Sequence, residues 1–552
     1  MKMNGARILI EELIRQGVDT IFGYPGGAVL NIYDELYKAS GRIHHVITAH
    51  EQGACHAADG YARATGKTGV VLATSGPGAT NLVTGIANAN LDSVPLVAIT
   101  GNVAMSALGR DSFQEVDIVG ITQPVVKHNF MVRDVTELEQ TIKEAFYIAN
   151  HGRKGPVLID IPKNVQVGEC EYGIAQVPRM TDKPKLAFHK EQVLETIRNA
   201  KKPFIYCGGG VVSSGAEKEL LELSKRLDAP VGLSMMGRTA LPDSYEYNLG
   251  MCGMHGKFAA SKAQSECDLM IAAGVRFSDR ATGDLMKYTS KCKVIHIDID
   301  KAEIGKNVNP DLSVQGDVKE ILQYLLSELE PVKHPEWRKE IENYKAKGSV
   351  KRPGEFVPEN IIEAVRKHTK DDTVVATDVG QHQMWTVQYY DFEKPRTLLT
   401  SGGLGTMGYG LGAAIGGCIG VGRKRTVLFT SEGSFGMNLN ELCTVVSQDL
   451  PITIVILDNG VLGMVRQWQG IFYGGRYSET TLNRKTDFPA LAKAFGLKGF
   501  SVHSMEELNR VLEETDTGDE GAYLIDCHID KDENVYPMIP PGKSIDSIIL
   551  KN

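Results

Sequence analysis

Short apolar runs alternate with helix-length amphipathic stretches along most of this chain. In the first third the runs are Thr20–Phe22, Val46–Thr48, Val70–Ala73, Leu96–Thr100 and Val157–Ile161. Strand-length runs separated by helical patterns predict βαβ units, with a parallel sheet covered by helices on both faces. A Pro/Lys-containing linker, Val177–Lys185, breaks the pattern. A second unit follows, with strands expected at Pro203–Tyr206, Met270–Ala273 and Val294–Ile299. The charged, Pro-punctuated stretch Pro331–Pro358 separates it from a third unit, with strands expected at Val374–Thr377, Leu398–Thr400, Thr426–Phe429, Ile452–Leu457 and Leu524–His528. The tail from Tyr536 has no periodicity and reads as an arm or lid. The expected domains are 1–176, 186–345 and 355–535, with the arm at 536–552.

The third unit repeats the first. Val71-Leu72-Ala73-Thr74-Ser75-Gly76 and Val427-Leu428-Phe429-Thr430-Ser431-Glu432 each lead through a glycine-containing turn and a helical pattern to an apolar run, opened by Pro95 and Pro451. The offset is 356 residues in both places. The copies differ at one informative point: Glu432 stands where the first copy has Gly76, and Asp458-Asn459-Gly460 follows the last strand. Oxygen ligands at the ends of two parallel strands are where a metal-diphosphate would sit. The duplication therefore predicts a cofactor held between two related domains.

Composition narrows the class. The chain has 552 residues, 42% of them hydrophobic and 23% charged, as in ordinary globular enzymes of several domains. A net charge of −8 gives no footprint for nucleic acid. Nine scattered cysteines without a C-x-x-C pair point to reduced core residues and a cytoplasmic setting. The start leads straight into an amphipathic helix, and the longest Gly/Ala-rich apolar run, Leu411–Val421, is too short to cross a bilayer.

Two further patterns carry chemistry. In the middle unit, Cys207-Gly208-Gly209-Gly210 follows a strand and precedes a helix. It reads either as a tight turn or as bare backbone for a phosphate. Gly274-Val275-Arg276-Phe277, Asp298 at a strand end, and Gly316-Asp317 favour a dinucleotide there, with an acid for ribose hydroxyls. In the first unit, His50-Glu51-Gln52-Gly53 opens a helix rich in small residues, Ala54, Ala57, Ala58 and Gly60. Glu51 reads either as a first-turn acid favoured by the helix dipole or as a buried carboxylate able to trade a proton with a ring nitrogen. The offset maps Glu51 onto Met407, so one crevice would receive an acid from one side and an apolar prop from the other.

With these residues in view, the chain resembles the large catalytic subunit of the acetohydroxyacid (acetolactate) synthase family of thiamine-diphosphate enzymes. The resemblance runs from about Met3 to Pro541. It rests on Gly23-Tyr24-Pro25-Gly26-Gly27-Ala28, His50-Glu51-Gln52-Gly53, Thr74-Ser75-Gly76-Pro77-Gly78, Phe113-Gln114-Glu115, Gly253-Met254-His255-Gly256, Arg276-Phe277-Ser278-Asp279-Arg280, Gly403 to Gly408 and Gly463-Met464-Val465-Arg466-Gln467-Trp468-Gln469. It implies three doubly wound α/β domains, binding pyrimidine, FAD and diphosphate in chain order. It implies decarboxylation of pyruvate and transfer of the remaining two-carbon unit to pyruvate or 2-oxobutanoate, in branched-chain amino-acid synthesis.

The resemblance also implies roles. Glu51 would bond the aminopyrimidine, and Met407 would bend the cofactor. Gln381 and His382 would hold the diphosphate, with Gly405, Gly433, Ser434 and Met464 lining the same pocket. Glu432, Asn459 and the backbone oxygen of Val461 would hold Mg2+. Arg280 would meet the second oxo acid, walled by Phe113, Met254, Val379 and Trp468, with Gln114 and Lys163 at the mouth. FAD would contact Arg153, Gly208, Gly209, His255, Arg276, Asp298 and Asp317 in a structural role. The site would lie between chains of a homodimer or tetramer, with a small regulatory subunit as a further partner.

The chain departs from the family pattern at the metal. Gly-Asp-Gly or Gly-Asp-Ala becomes Ser431-Glu432-Gly433, and Asn-Asn becomes Asp458-Asn459. Mg2+ demands near-ideal octahedral geometry, and glutamate reaches one methylene further than aspartate. Either the loop retracts or the metal binds poorly, and Asp458 either helps hold the ion or repels the diphosphate. Three readings remain at this point: the carboligase, another thiamine-diphosphate/FAD oxo-acid decarboxylase or oxidase, and a non-catalytic paralogue.

Overall fold

The structure is a computed structural model of the single chain, describing residues 1–173, 188–347, 352–516 and 518–550. Three six-stranded sheets account for all but two of its strands, and every strand pair within them is parallel. With strands numbered along the chain within each sheet, the first and third sheets share the order 2-1-3-4-6-5. The middle sheet has the order 3-2-1-4-5-6, that of dinucleotide-binding folds. The duplication seen in the sequence is therefore a duplication of topology, and the middle sheet has a different topology.

The expected apolar runs form strands, and the central ones are buried Val, Ile and Leu, as buried parallel strands require. Observed bounds are Thr20–Gly23, His44–Ile47, Gly69–Ala73, Leu96–Asn102 and Pro156–Pro162 in the first sheet. In the third they are Val374–Thr377, Leu398–Leu399, Thr426–Thr430, Ile452–Asp458 and Tyr523–His528. The edge strands His128–Met131, Leu312–Gln315 and Lys498–Val502 were not expected; each carries polar residues that blur the apolar run. Val231–Leu233 and Asn248–Met251 were also missed, being short and rich in glycine or polar residues. Lys2–Asn4 pairs antiparallel with Glu169–Glu171 and ties the first helix, Gly5–Arg15, to the end of its domain. The expected linker Val177–Lys185 lies outside the described residues. Among the described residues no helix is long and apolar enough to cross a membrane.

The two copies meet through equivalent helices, Glu51–Thr65 and Tyr409–Gly420, which share one apolar core. Small residues set the distance. A Cβ on Gly416 would lie 1.7 Å from the carbonyl oxygen of Ala57, and one on Gly60 2.3 Å from that of Ala413. The small-residue helix predicted around Glu51 thus packs on its own duplicate. A buried network crosses the same joint: Arg63 pairs with Asp59 and Asp92, and the Tyr409 hydroxyl donates to Asp59 at 2.6 Å. Asp92 also accepts the Gly402 and Gly403 amides at 3.0 and 2.8 Å, fixing the turn that leads to Met407.

Candidate active site

Glu51 is the first residue of its helix, capped by the His50 side chain, which accepts from the Gln52 amide. The carboxylate is half-buried and accepts from Asn81 Nδ2 at 2.9 Å. Gly78 passes close to it: a Cβ there would sit 3.2 Å from Glu51 Oε1. Gly76, at φ +58°, passes under the Gln114 backbone, where a Cβ would come within 2.8 Å. Gln114 therefore belongs to the Glu51 cluster. Phe113 beside it is 87% exposed, and Lys163 is exposed at the start of the short helix Lys163–Val167. The helix start is held from the other copy, because the fully buried Glu441 carboxylate accepts the Ala49 and His50 amides at 3.1 and 3.0 Å.

The second cluster lies at the strand ends of the third sheet. Buried Gln381 donates to Gln467 Oε1 at 3.1 Å and to the Glu533 carbonyl at 2.9 Å, and accepts from Asn459 at 3.2 Å. Gly463 is the residue that lets these side chains meet, since a Cβ there would lie 1.9 Å from Gln381 Oε1. His382 is buried with Nε2 unpartnered, and burial pushes its imidazole down to about 3, leaving it neutral. Ser434 donates to the Val379 carbonyl at 3.0 Å, and a Cβ on Gly433 would be 3.9 Å from the Met407 methyl. Gly405 is left-handed, at φ +72°, beside Val379. Met464 packs partly buried against the third-domain core.

Glu432 is buried; neither carboxylate oxygen makes a well-formed hydrogen bond, and only the Glu432 and Val461 amides pull weakly on its carboxyl. Burial, with the charges of Asp458 and Asp526 adding to it, pushes its carboxyl up to about 8. The Val461 amide donates to Asn459 Oδ1 at 3.3 Å. Buried acids without cationic neighbours suit a missing positive ion, so this set fits a divalent metal. The unpartnered nitrogen of buried His382, the residue after Gln381, fits a polar ligand such as a diphosphate.

A third cluster joins the middle sheet to the third. The Arg280 guanidinium lies 5.3 Å from the centre of the Trp468 ring, whose buried Nε1 has no partner. The Met254 amide donates to the Arg280 carbonyl at 2.8 Å, and the Met254 carbonyl accepts Ile539 of the C-terminal arm at 2.8 Å. A pocket of about 280 Å³ opens beside Met254 and Arg280, closed on one side by Pro540 and Lys543.

In the middle domain, Gly208 and Gly210 press against Gly274, and a Cβ on Gly208 would lie 1.9 Å from the Gly274 oxygen. The glycine triplet is thus a close strand-to-helix contact, while Gly209 faces Met236 more loosely. Asp298 ends its strand buried, with its carboxyl pushed up to about 6 chiefly by burial. Asp317 is occupied as an N-cap, accepting the Lys319 and Glu320 amides. Arg153 is paired with Glu303 at 2.7 Å. His255 is buried, with Nδ1 unpartnered. The Arg276 guanidinium reaches the Gly403 turn. Unpartnered His255 and buried Asp298 at the ends of a 3-2-1-4-5-6 sheet fit a dinucleotide.

The single chain brings together Gln381, His382, Asn459, Gly433, Ser434 and Met407, and separately Arg280, Met254 and Trp468. Among the described residues no hydrogen bond or ion pair joins Glu51, Gln114 or Lys163 to either set. Sequence reasoning passed over Asn81, Glu441, Asp526 and His528, and gave Gln467, named within its motif, no role of its own. Asp526 and His528 lie on the final strand, whose duplicate offset is 366 rather than 356; re-aligning there would have paired Asp526 with Asp160.

Family models for the thiamine pyrophosphate enzyme N-terminal TPP binding domain, central domain and C-terminal TPP binding domain match residues 3–121, 190–325 and 378–527. Fold and matches define a thiamine pyrophosphate enzyme. The chain is 42% identical over 566 residues to the acetolactate synthase isozyme 3 large subunit of Escherichia coli K12, covering 99% of this chain and 98% of that one. It is 44% identical to the isozyme 2 large subunit of the same organism over the full length of both. It is also 44% identical to a probable acetolactate synthase large subunit of Methanocaldococcus jannaschii, over 99% of this chain and 95% of that one. The chain belongs to the acetolactate synthase large-subunit family.

Proposed function

We propose that this protein joins pyruvate, after loss of CO2, to a second 2-oxo acid, pyruvate or 2-oxobutanoate, giving 2-acetolactate or 2-aceto-2-hydroxybutanoate for branched-chain amino-acid synthesis. The observation that carries the carboligase reading is the Arg280–Trp468 pair at 5.3 Å. It sets a planar cation against an apolar wall, as recognition of an acceptor carboxylate with a short aliphatic tail requires.

When bound, thiamine diphosphate supplies the nucleophilic carbon and the electron sink for decarboxylation. Gln381, His382, Gly405, Gly433, Ser434 and Met464 would hold it, and Met407 would prop its bend. Mg2+ would be taken by Glu432, Asn459 and the Val461 carbonyl. Glu51 works by holding and returning a proton at the aminopyrimidine, and Asn81 orients its carboxylate by donating to Oε2. Neutral His382 contributes a polar contact without adding charge. Arg280 binds the acceptor carboxylate, while Trp468, Met254, Val379 and Phe113 shape the pocket and exclude water; Gln114 and Lys163 stand at its mouth. FAD would lie on the middle sheet against Arg153, Gly208, Gly209, His255, Arg276, Asp298 and Asp317, as a structural group.

The exposed Phe113 and Lys163, and the separation of the Glu51 cluster from the metal cluster, support a site completed by a second copy of the chain. The working unit is then at least a dimer, and a small regulatory subunit is an expected further partner. The domains are taken as 1–176, 186–345 and 355–535, with the arm at 536–552, in a cytoplasmic protein.

The test is product analysis of pyruvate incubations, with thiamine diphosphate, Mg2+ and FAD added and omitted in turn. Acetolactate that requires Mg2+ and thiamine diphosphate is the expected result. Acetaldehyde or acetate would assign a decarboxylase or oxidase instead. No Mg2+-dependent binding of thiamine diphosphate would mark a non-catalytic paralogue.

A further inference from the structure

The duplicated sheets contain one buried aspartate each, at the same place. In the first sheet Asp160 lies opposite Thr100, and in the third Asp526 lies opposite Ile456, 356 residues beyond Thr100. Asp160 is fully satisfied: Thr100 Oγ1 donates to one oxygen at 2.7 Å and Asn102 Nδ2 to the other at 2.6 Å. In the third sheet both donors are gone. Thr100 is replaced by Ile456, and Asn102 by Asp458, a second carboxylate. Asp526 remains 3% exposed, and its Oδ1 has no partner. A buried carboxylate that has lost its donors is costly unless a cation takes their place.

An imidazole has arrived at the same point. Pro162, opposite Asn102, corresponds to His528, opposite Asp458. His528 Nε2 lies 3.5 Å from Asp526 Oδ2, and Nδ1 lies 4.0 Å from Asp458 Oδ2. One ligand atom from each of Asp458, Asp526 and His528 falls within 4.8 Å of the others. The three side chains leave adjacent strands on one face, whereas Asn459, the next residue along, turns to Gln381. Asp458 is thus aimed at Asp526 and His528, away from the Gln381 cluster. His528 is 38% exposed, so an ion has a route in; the ring stacks on His503 at 4.5 Å, and Nε2 also lies 3.0 Å from Ser501 Oγ, a contact that an ion at Nε2 would replace. Neighbouring ligands on a metal with bonds of about 2.1 Å stand about 3 Å apart, which needs only a modest closure here.

We propose that Asp458, Asp526 and His528 bind a divalent first-row transition ion of the Zn2+ or Mn2+ kind, separate from the ion expected at Glu432, Asn459 and Val461. Mg2+ takes oxygen ligands and holds its waters, whereas an imidazole with two carboxylates suits transition ions. Glu432 is the shared neighbour of the two positions, since Asp458 and Asp526 both act on its carboxyl.

The test is metal counting on the full-length protein. The chain is stripped with chelator, reloaded with thiamine diphosphate and excess Mg2+, titrated with Zn2+ or Co2+, desalted and assayed for bound metal. One transition ion per chain in the presence of excess Mg2+ is expected, with visible ligand-field absorption for Co2+. His528→Ala, at a half-exposed position, and Asp526→Asn should each weaken that ion by about tenfold or more, and Asn459→Ala should leave it bound. Zn2+ retention by His528→Ala equal to that of the unaltered protein overturns the proposal. So does the binding of no transition ion at all, which would mean that the two carboxyls share a proton instead. The count does not depend on turnover, so its failure and the failure of the carboligase reading are separate results.

Discussion

Asp160 and Asp526 occupy one position in two sheets of one strand order, and their surroundings have diverged. The first sheet satisfies its buried acid with a hydroxyl and an amide; the third surrounds it with a hydrocarbon, a second acid and an imidazole. The first solution is closed and structural. The second is open at His528 and leaves carboxylate oxygen unused. A duplicated fold keeps its buried polar position, and the neighbouring strand decides whether that position serves packing or a ligand.

The comparison is most sharply tested at the residues that differ in role. The largest effect is expected from Glu51, the acid opposite Met407 in the duplication. Glu51→Gln should lower turnover by about 10² to 10⁴-fold while the flavin absorbance of the purified protein is unchanged. Unaltered turnover would remove Glu51 from the proton-handling role.

Next comes the closed aspartate. Burial raises the Asp160 carboxyl to about 6, with the Asn102 and Thr100 hydrogen bonds pulling against it. A folded value above the unfolded one favours the protonated fold. The contribution is complete below about pH 4 and is lost as the pH rises through about 6. Relative to Asp160→Asn, the unaltered protein should therefore lose about 2.5 kcal/mol of stability between pH 4 and pH 8, read from unfolding midpoints of the two proteins in parallel. A constant difference across that range would show that Asp160 does not titrate there.

A smaller effect is expected from copying half of the third sheet into the first. Asn102→Asp replaces a donor with a second carboxylate but supplies no imidazole. It should cost about 1–3 kcal/mol in unfolding experiments and create no transition-metal binding. The smallest effect is expected at Glu432. Glu432→Asp should keep thiamine diphosphate affinity or tighten it by up to about tenfold, about 1.4 kcal/mol, in a titration with Mg2+. A loss larger than that would show that the longer side chain has its own fitted geometry.

Much of this was legible in the chain. Continuous apolar runs such as Val70–Ala73 and Ile452–Leu457 announce buried parallel strands, and the 356-residue offset announces two related sheets. The edge strands that escaped did so because one of their faces meets solvent, so Lys498–Val502 carries lysine, glycine and serine amid its apolar residues. The strand order 3-2-1-4-5-6 of the middle sheet is a matter of long-range pairing and leaves no local trace. Of the site, glycine-dense and motif-bearing segments were readable, because close backbone approach demands glycine at Gly463 and Gly76. What stayed hidden were supporting side chains recruited from distant strands: Asn81 for Glu51, Gln467 for Gln381, and His528 for Asp526. Asp317 shows the opposite case, a motif acid whose carboxylate serves as a helix cap.

Glu441 gives the duplicated architecture a mechanical consequence. Its carboxylate, rooted in the third domain, grips two successive amides at the start of the helix that begins with Glu51, and Gly53 has no Cβ because that carboxylate fills the space. The aim of Glu51 is thus set by the neighbouring domain as much as by its own. Any tilt of the third domain, whether from a ligand or a docking protein, is transmitted through two hydrogen bonds to the helix that carries Glu51.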